Sequence, residues 1–308
     1  MSAKARDVGL VAVAHFRVFE RGGVGGNPCP IVGDASELAT EDMQRVAAHF
    51  GEETGFVCND EGASVGLRFF MPRCEVAMCV HAAVAATTWL VMNGRVPRTG
   101  EILARTTSGE CGVSWNDELP PRVTVEQQPP RFGDPVDFAA AAARALRLPG
   151  SVDPYLPIRA VSVSTPKLIV PLRDASDVHR ASPDFKLLWR LCQELHTTGA
   201  YVFAPHPDGA PEHFVARQFP VGGGVNEDPA TGVAAGALAA YLADRRGGAG
   251  PARSAIQIDQ GDAMGCPCRL EAAAYAEGVT VVRTTVTGSA SLTGEEQLDF
   301  AAVGTAKR

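Results

Sequence analysis

The sequence predicts an α+β protein of two pseudo-symmetric domains, each a curled, mostly antiparallel sheet around a central helix. Three observations carry this. First, the chain repeats itself: Arg68-Phe69-Phe70 returns as Arg217-Gln218-Phe219, and Val84-Ala85-Ala86 as Val233-Ala234-Ala235, both at an offset of 149 residues (217 − 68 = 233 − 84). Asp34-Ala35-Ser36 and Thr54-Gly55 return as Asp174-Ala175-Ser176 and Thr198-Gly199 at offsets of 140 and 144, a drift that loop-length changes produce. A unit this long is a domain, not a solenoid repeat. Second, 308 residues is a two-domain length, and 45% hydrophobic against 20% charged residues suffices to bury two cores. Third, each half consists mostly of short strands about one stretch of small apolar residues, and the alternating strand–helix units of a doubly wound parallel sheet are missing.

Taken in order, residues 10–19 alternate as a strand does. The glycine-rich turn at 22–28 leads into Cys29-Pro30-Ile31-Val32; it lacks the GxGxxG order and no helix follows directly, which excludes a dinucleotide fingerprint. Residues 40–50 place Met43, Val46, Ala47 and Phe50 at helical spacing, with Thr40 as the expected N-cap. A short strand at 66–70 ends at Pro72. Residues 81–92 form a helix buried on most sides, and strands follow at 101–106 and 121–126. Residues 127–135, with three prolines, make the expected linker. The domains are therefore 1–130 and 131–308, with the last strands placed to pack back on the first. The second half repeats the order: strands within 160–172, a helix at 184–195, strands at 200–203 and 214–219, a second apolar helix at 230–242, and closing strands, notably 279–286.

Composition excludes several functions. A net charge of −7 without a basic patch argues against nucleic acid or an anionic membrane as partner. No apolar run reaches spanning length and the start, Met1 to Asp7, is polar, so a cytoplasmic protein is expected. The eight cysteines form neither a compact disulfide framework nor a CxxC pair, and Cys266-Pro267-Cys268 is too close for ordinary zinc spacing; reduced thiols and no metal are expected.

Two places carry chemistry. Asp228-Pro229 has the form of a helix start, with Asp as N-cap and Pro at the first helical position, and Cys79-Val80-His81 stands at the corresponding place in the first half. At the offset of 149, Cys79 falls opposite Asp228 and His81 opposite Ala230. Two helix N-termini brought together favour an anion. The plainer alternative is that Asp228 only caps its helix and His81 is a satisfied core histidine. The second place is Glu52-Glu53, where a carboxylate between an amphipathic helix and an apolar strand can face a closed cleft that raises its pKa. Its alternative is a solvated helix-end glutamate.

Gly25-Gly26-Asn27-Pro28, Glu53-Thr54-Gly55-Phe56-Val57, Arg68-Phe69-Phe70-Met71-Pro72 with Glu75 and His81, and Glu227-Asp228-Pro229-Ala230-Thr231-Gly232 come in the order of the PhzF (phenazine biosynthesis-like) isomerases, and from about Val13 to Gly288 the chain resembles that family. The resemblance implies the diaminopimelate epimerase-like fold, with the active site between the domains. It implies a cofactor-free, metal-free isomerase of specialised metabolism, such as antibiotic biosynthesis. The reaction would shift a proton on a small cyclic unsaturated carboxylate, in a cytoplasmic homodimer. Glu53 matches the family's proton-carrying glutamate, and His81 and Asp228 its supporting acid–base pair; Asn27, Val80, Thr231, Gly232 and Val233 match positions at the substrate. Two departures stand out: Val80 replaces the usual Gly before the histidine, and Val233 the usual Ser after the EDPATG stretch. Val80 restricts the turn, and Val233 removes a hydroxyl expected to hold substrate, which favours a substrate other than the phenazine precursor. Two alternatives stay open: a racemase or epimerase of an amino or imino acid working between two thiols, and a non-catalytic small-anion-binding relative.

Overall fold

The computed structural model describes residues 9–60, 64–222, 224–247, 252–300 and 303. The first half runs β1 (Leu10–Val18), β2 (Asn27–Val32), α1 (Thr40–Phe50), β3 (Thr54–Asp60), β4 (Ser64–Phe70), β5 (Glu75–Val76), α2 (Val80–Met92), β6 (Gly100–Thr106), β7 (Gly109–Trp115) and β8 (Val123–Gln127). The second runs β9 (Arg131–Phe132), α3 (Ala139–Leu146), β10 (Arg159–Ser162), β11 (Pro166–Pro171), α4 (Ala175–Arg180), α5 (Phe185–Glu194), β12 (Gly199–Pro205), β13 (His213–Pro220), α6 (Gly232–Arg245), β14 (Arg253–Gln260), β15 (Cys268–Glu277), β16 (Thr280–Gly288) and β17 (Ala290–Asp299).

Strand pairing repeats between the halves. In the first, β1–β2 is antiparallel, β2–β3 parallel, β3–β4 antiparallel, β4–β6 parallel, and β6–β7–β8 antiparallel. In the second, β10–β11, β11–β12, β12–β13, β13–β14 and β14–β15–β16 follow the same succession. Each parallel pair needs a crossover. The outer crossovers are α1 in the first half and α4–α5 in the second; the inner ones are α2 and α6. The halves meet where β8 pairs antiparallel with β16, Val125 opposite Val286, and β17 returns to pair with β1. All strands thus belong to one curled, unclosed sheet.

Helix composition explains helix position. The central α2 and α6 are apolar all round, with Val84, Ala85 and Ala86 in one and Ala234, Ala235, Ala237 and Leu238 in the other fully buried. Their small side chains let the sheet wrap closely, and both helices share one hydrophobic cluster with β8 and β16. By contrast α1 and α5 are amphipathic and cover outer faces: Met43, Val46 and Ala47 pack with Phe56 and Phe70, while Leu188, Leu191 and Cys192 pack with Val202 and Phe219. No described helix is long and apolar enough to cross a membrane.

Several expectations need correction. Thr40 is the first residue of α1, not its cap; the cap position is Ala39, and the Thr40 hydroxyl accepts from Arg68 instead. Asp228 does not cap α6, which starts at Gly232 after Thr231. Strand β7 and helix α3 were not foreseen from the sequence.

Candidate active site

The first half delivers its residues from two chain breaks. Helix α1 ends at Gly51, whose left-handed φ of 68° suits a residue without a side chain. Glu52 and Glu53 follow before β3. Cys79 caps α2, its Sγ accepting from Ala82 N at 3.4 Å, and His81 sits in the first turn with Nδ1 3.3 Å from that sulfur. His81 Nε2 lies 3.8 Å from Glu53 Oε2. The His81 side chain is 4% exposed and that of Glu53 22%, and both line a cavity of about 570 Å³.

The second half supplies Asp228 on the loop before α6. Its Oδ1 accepts from Asn27 Nδ2 at 2.9 Å, and its Oδ2 from the Thr231 hydroxyl at 2.5 Å. Asn27 also donates to Ala230 O at 3.0 Å, so one β2 side chain ties the halves together across the cavity. Gln260 Nε2 donates to Asp228 O at 2.7 Å. Because Thr231 turns its hydroxyl to Asp228, no side chain caps α6, and its first backbone N–H groups remain for a ligand. All eight residues singled out from the sequence line this one cavity: Asn27, Glu53, Val80, His81, Asp228, Thr231, Gly232 and Val233.

The register between the halves differs from the sequence reading. Arg68 pairs bidentately with Glu75, seven residues on, and Arg217 likewise with Glu227, ten residues on. Each guanidinium also lies over the phenylalanine two residues later. The second half therefore gains three residues here, and the offset grows from 149 to 152. Cys79 is matched by Thr231 as helix cap, and His81 by Val233 rather than Ala230. The position equivalent to Cys79 is held by Thr231 and not by a thiol, while Cys266 of the second half lines the same cavity.

Val80 does not close the site. A Cβ on Gly232 would lie 2.4 Å from the Val80 Cβ, so Gly232 is the space into which Val80 fits.

The electrostatics follow from burial. Desolvation raises the Glu53 carboxyl, helped by Asp228 and opposed by His81, Cys79 and Lys167. Burial, reinforced by Glu53, pushes the Cys79 thiol well up. Glu53, Cys79 and His81 bring ligand atoms within 4.8 Å of one another, close enough to enclose a cation. A thiol must lose its proton to ligate, so a cation bound here would have to displace the Cys79 proton. His206, Asp208 and His213 form a similar cluster that does not line the cavity.

The sequence reading missed Lys167 and Gln218, which line the same cavity from β11 and β13. The available signal was a charge inside the apolar run Pro166-Lys167-Leu168-Ile169-Val170-Pro171.

Residues 16–295 match the family profile PhzC-PhzF, described as phenazine biosynthesis-like protein. An uncharacterized isomerase of Deinococcus radiodurans is 33% identical over 297 residues, covering 88% of this chain and 89% of that one. The uncharacterized isomerase YddE of Escherichia coli is 30% identical over 239 residues, 75% of this chain and 78% of that one. Among solved structures, a PhzF-family phenazine biosynthesis protein of Bacillus anthracis superimposes with a TM-score of 0.84 at 24% identity, covering 94% and 99% of the two chains. A probable proline racemase of Agrobacterium radiobacter shares the fold, with a TM-score of 0.66 at 13% identity and coverage of 94% and 92%.

Proposed function

Since the chain belongs to the PhzC-PhzF, phenazine biosynthesis-like family and is an isomerase, we propose that Glu53 carries the proton between two carbons of a small, cyclic, unsaturated carboxylate. The observation that supports this most is the Glu53 carboxyl itself: desolvated, its pKa raised by burial, and 3.8 Å from the His81 imidazole in a cavity lined by both halves. A carboxyl in that state can accept and return a proton without leaving the site. His81 stands next to it to stabilise the ionised form. Asp228, fixed by Asn27 and Thr231, orients the loop that opens into the α6 N-terminus. There the free N–H groups and the helix dipole hold the substrate carboxylate, placing the conjugated carbons over Glu53.

Val233 gives the pocket an apolar wall where a hydroxyl would otherwise reach the ligand, which favours a substrate other than the phenazine precursor. The test is proton exchange. Cyclohexadiene carboxylates incubated with the protein in deuterated buffer are expected to gain deuterium at ring carbons, followed by NMR. Glu53→Gln, which keeps size and hydrogen bonding, should slow that exchange by about a hundredfold or more. Near-normal exchange in this variant would remove Glu53 from the mechanism.

A further inference from the structure

Two buried polar groups in the same cavity lack a full set of partners. Lys167, on β11, is 8% exposed, and its Nζ makes one hydrogen bond, 3.0 Å to the Thr198 hydroxyl. That hydroxyl spends its own proton on Pro166 O at 3.0 Å, so it only accepts from the lysine. An ammonium has three N–H donors. Among the described residues no carboxylate reaches ion-pair distance of Nζ: Asp228 is held by Asn27, Thr231 and Ala230 N, and Glu53 stands beside His81. Gln218, on β13, is 1% exposed, and neither its amide nitrogen nor its oxygen has a partner. A buried cation with no carboxylate at ion-pair distance and a buried amide N–H without an acceptor are each costly, and an anionic oxygen ligand answers both.

We propose that Lys167 and Gln218 form a second anion subsite that recognises an additional carboxylate of the substrate, making this isomerase selective for dicarboxylates. The inference rests on the reading above, in which the α6 N-terminus takes the first carboxylate. A neutral carbonyl would answer the amide but leave the ammonium uncompensated, so a full negative charge fits the site better. Burial weakens the ammonium form of Lys167, while the charges of Asp228 and Glu53 support it. A ligand carboxylate would add to that support. Lys167 thus acts as a specificity determinant.

Rigid ring probes separate the two parts of the argument. By calorimetric titration at neutral pH, isophthalate, with two ring carboxylates, should bind the wild-type protein at least tenfold more tightly than benzoate, with one. Lys167→Met, close in size and uncharged, should abolish that advantage while leaving benzoate affinity within about twofold. Gln218→Met should reduce the advantage in part. Absence of an isophthalate preference in the wild-type protein, whether both probes bind alike or neither binds, overturns the proposal even if Lys167→Met does not fold. Persistence of the preference in folded Lys167→Met does the same. Failure of the proton-carrier reading would appear separately, as undiminished deuterium exchange in Glu53→Gln.

Discussion

Glu53 is a carboxyl whose environment opposes its charge, and this has consequences for stability as well as for proton transfer. Its folded pKa lies above the ordinary 4.5, with burial as the largest cause. A group raised in this way favours folding fully below its unfolded pKa, and that contribution is lost as pH rises through the folded value. Glu53→Gln mimics the neutral form at every pH. The variant should therefore melt higher than wild type at pH 8, and the gap should close towards pH 4. Thermal melts at the two pH values check this, and a gap independent of pH would mean that Glu53 is not desolvated. The same reasoning places the acidic limb of kcat/KM above 4.5, since Glu53 must be ionised to accept a proton.

Val233 bears on specificity at the same scale. It lines the cavity from the first turn of α6, next to the N–H groups offered to a carboxylate. Val233→Ser adds a donor beside the ligand without touching Glu53 or His81. It should change the ratio of kcat/KM between hydroxylated and plain ring carboxylates by about tenfold, with kcat on the preferred one nearly unchanged. That tenfold corresponds to roughly 1.4 kcal/mol, the size of one hydrogen bond to a neutral group. Equal losses for both substrates would show that the side chain only packs.

Among the elements, those with contrast between polar and apolar positions were legible in the sequence. Helix α1 appears at residues 40–50 as expected because its apolar stripe is clear. Helix α3 was hidden because Ala139-Ala140-Ala141-Ala142-Ala143 offers no stripe at all. Strand β17 falls among the expected closing strands but without bounds of its own, for the opposite reason: most of its residues are exposed, so nothing alternates. The start of α6 was misplaced because Asp228-Pro229 satisfies a helix-start rule while Asp228 is held elsewhere, by Asn27 and Thr231. The motif residues converge on one cavity, yet Lys167 and Gln218 escaped notice because their importance lies in lacking partners, which no sequence pattern records. The Val80–Gly232 crossing is likewise a relation between elements, and it can be tested as one. Gly232→Ala should destabilise the protein by about 1–3 kcal/mol, because the new methyl would meet the rigid Val80 side chain at 2.4 Å. Val80→Gly in the same chain should restore much of that loss. Strictly additive losses in a double-mutant cycle of chemical denaturation would show that the two positions do not interact.

At the scale of the whole molecule, the repeated strand order invites the expectation that the halves unfold separately, as two domains of about 150 residues often do. Their contacts argue otherwise. One hydrophobic cluster contains Val84 and Leu90 from α2, Leu238 and Tyr241 from α6, and Val125 and Val286 from the strands where the halves join. β17, the last described strand, pairs along the whole of β1, the first described one. Neither half can lose its structure without exposing apolar surface that the other half buries, and each exposed side chain costs about 1.5–3 kcal/mol. Calorimetry should therefore show one transition, with calorimetric and van't Hoff enthalpies in agreement. Val286→Ala, at the join, should move that transition down by a few degrees without dividing it. Two resolved transitions, with only one shifted by Val286→Ala, would show that the halves are separate folding units and that the cavity between them depends on docking alone. A single transition would mean that the geometry joining Glu53, His81 and Asp228 is as stable as the fold itself.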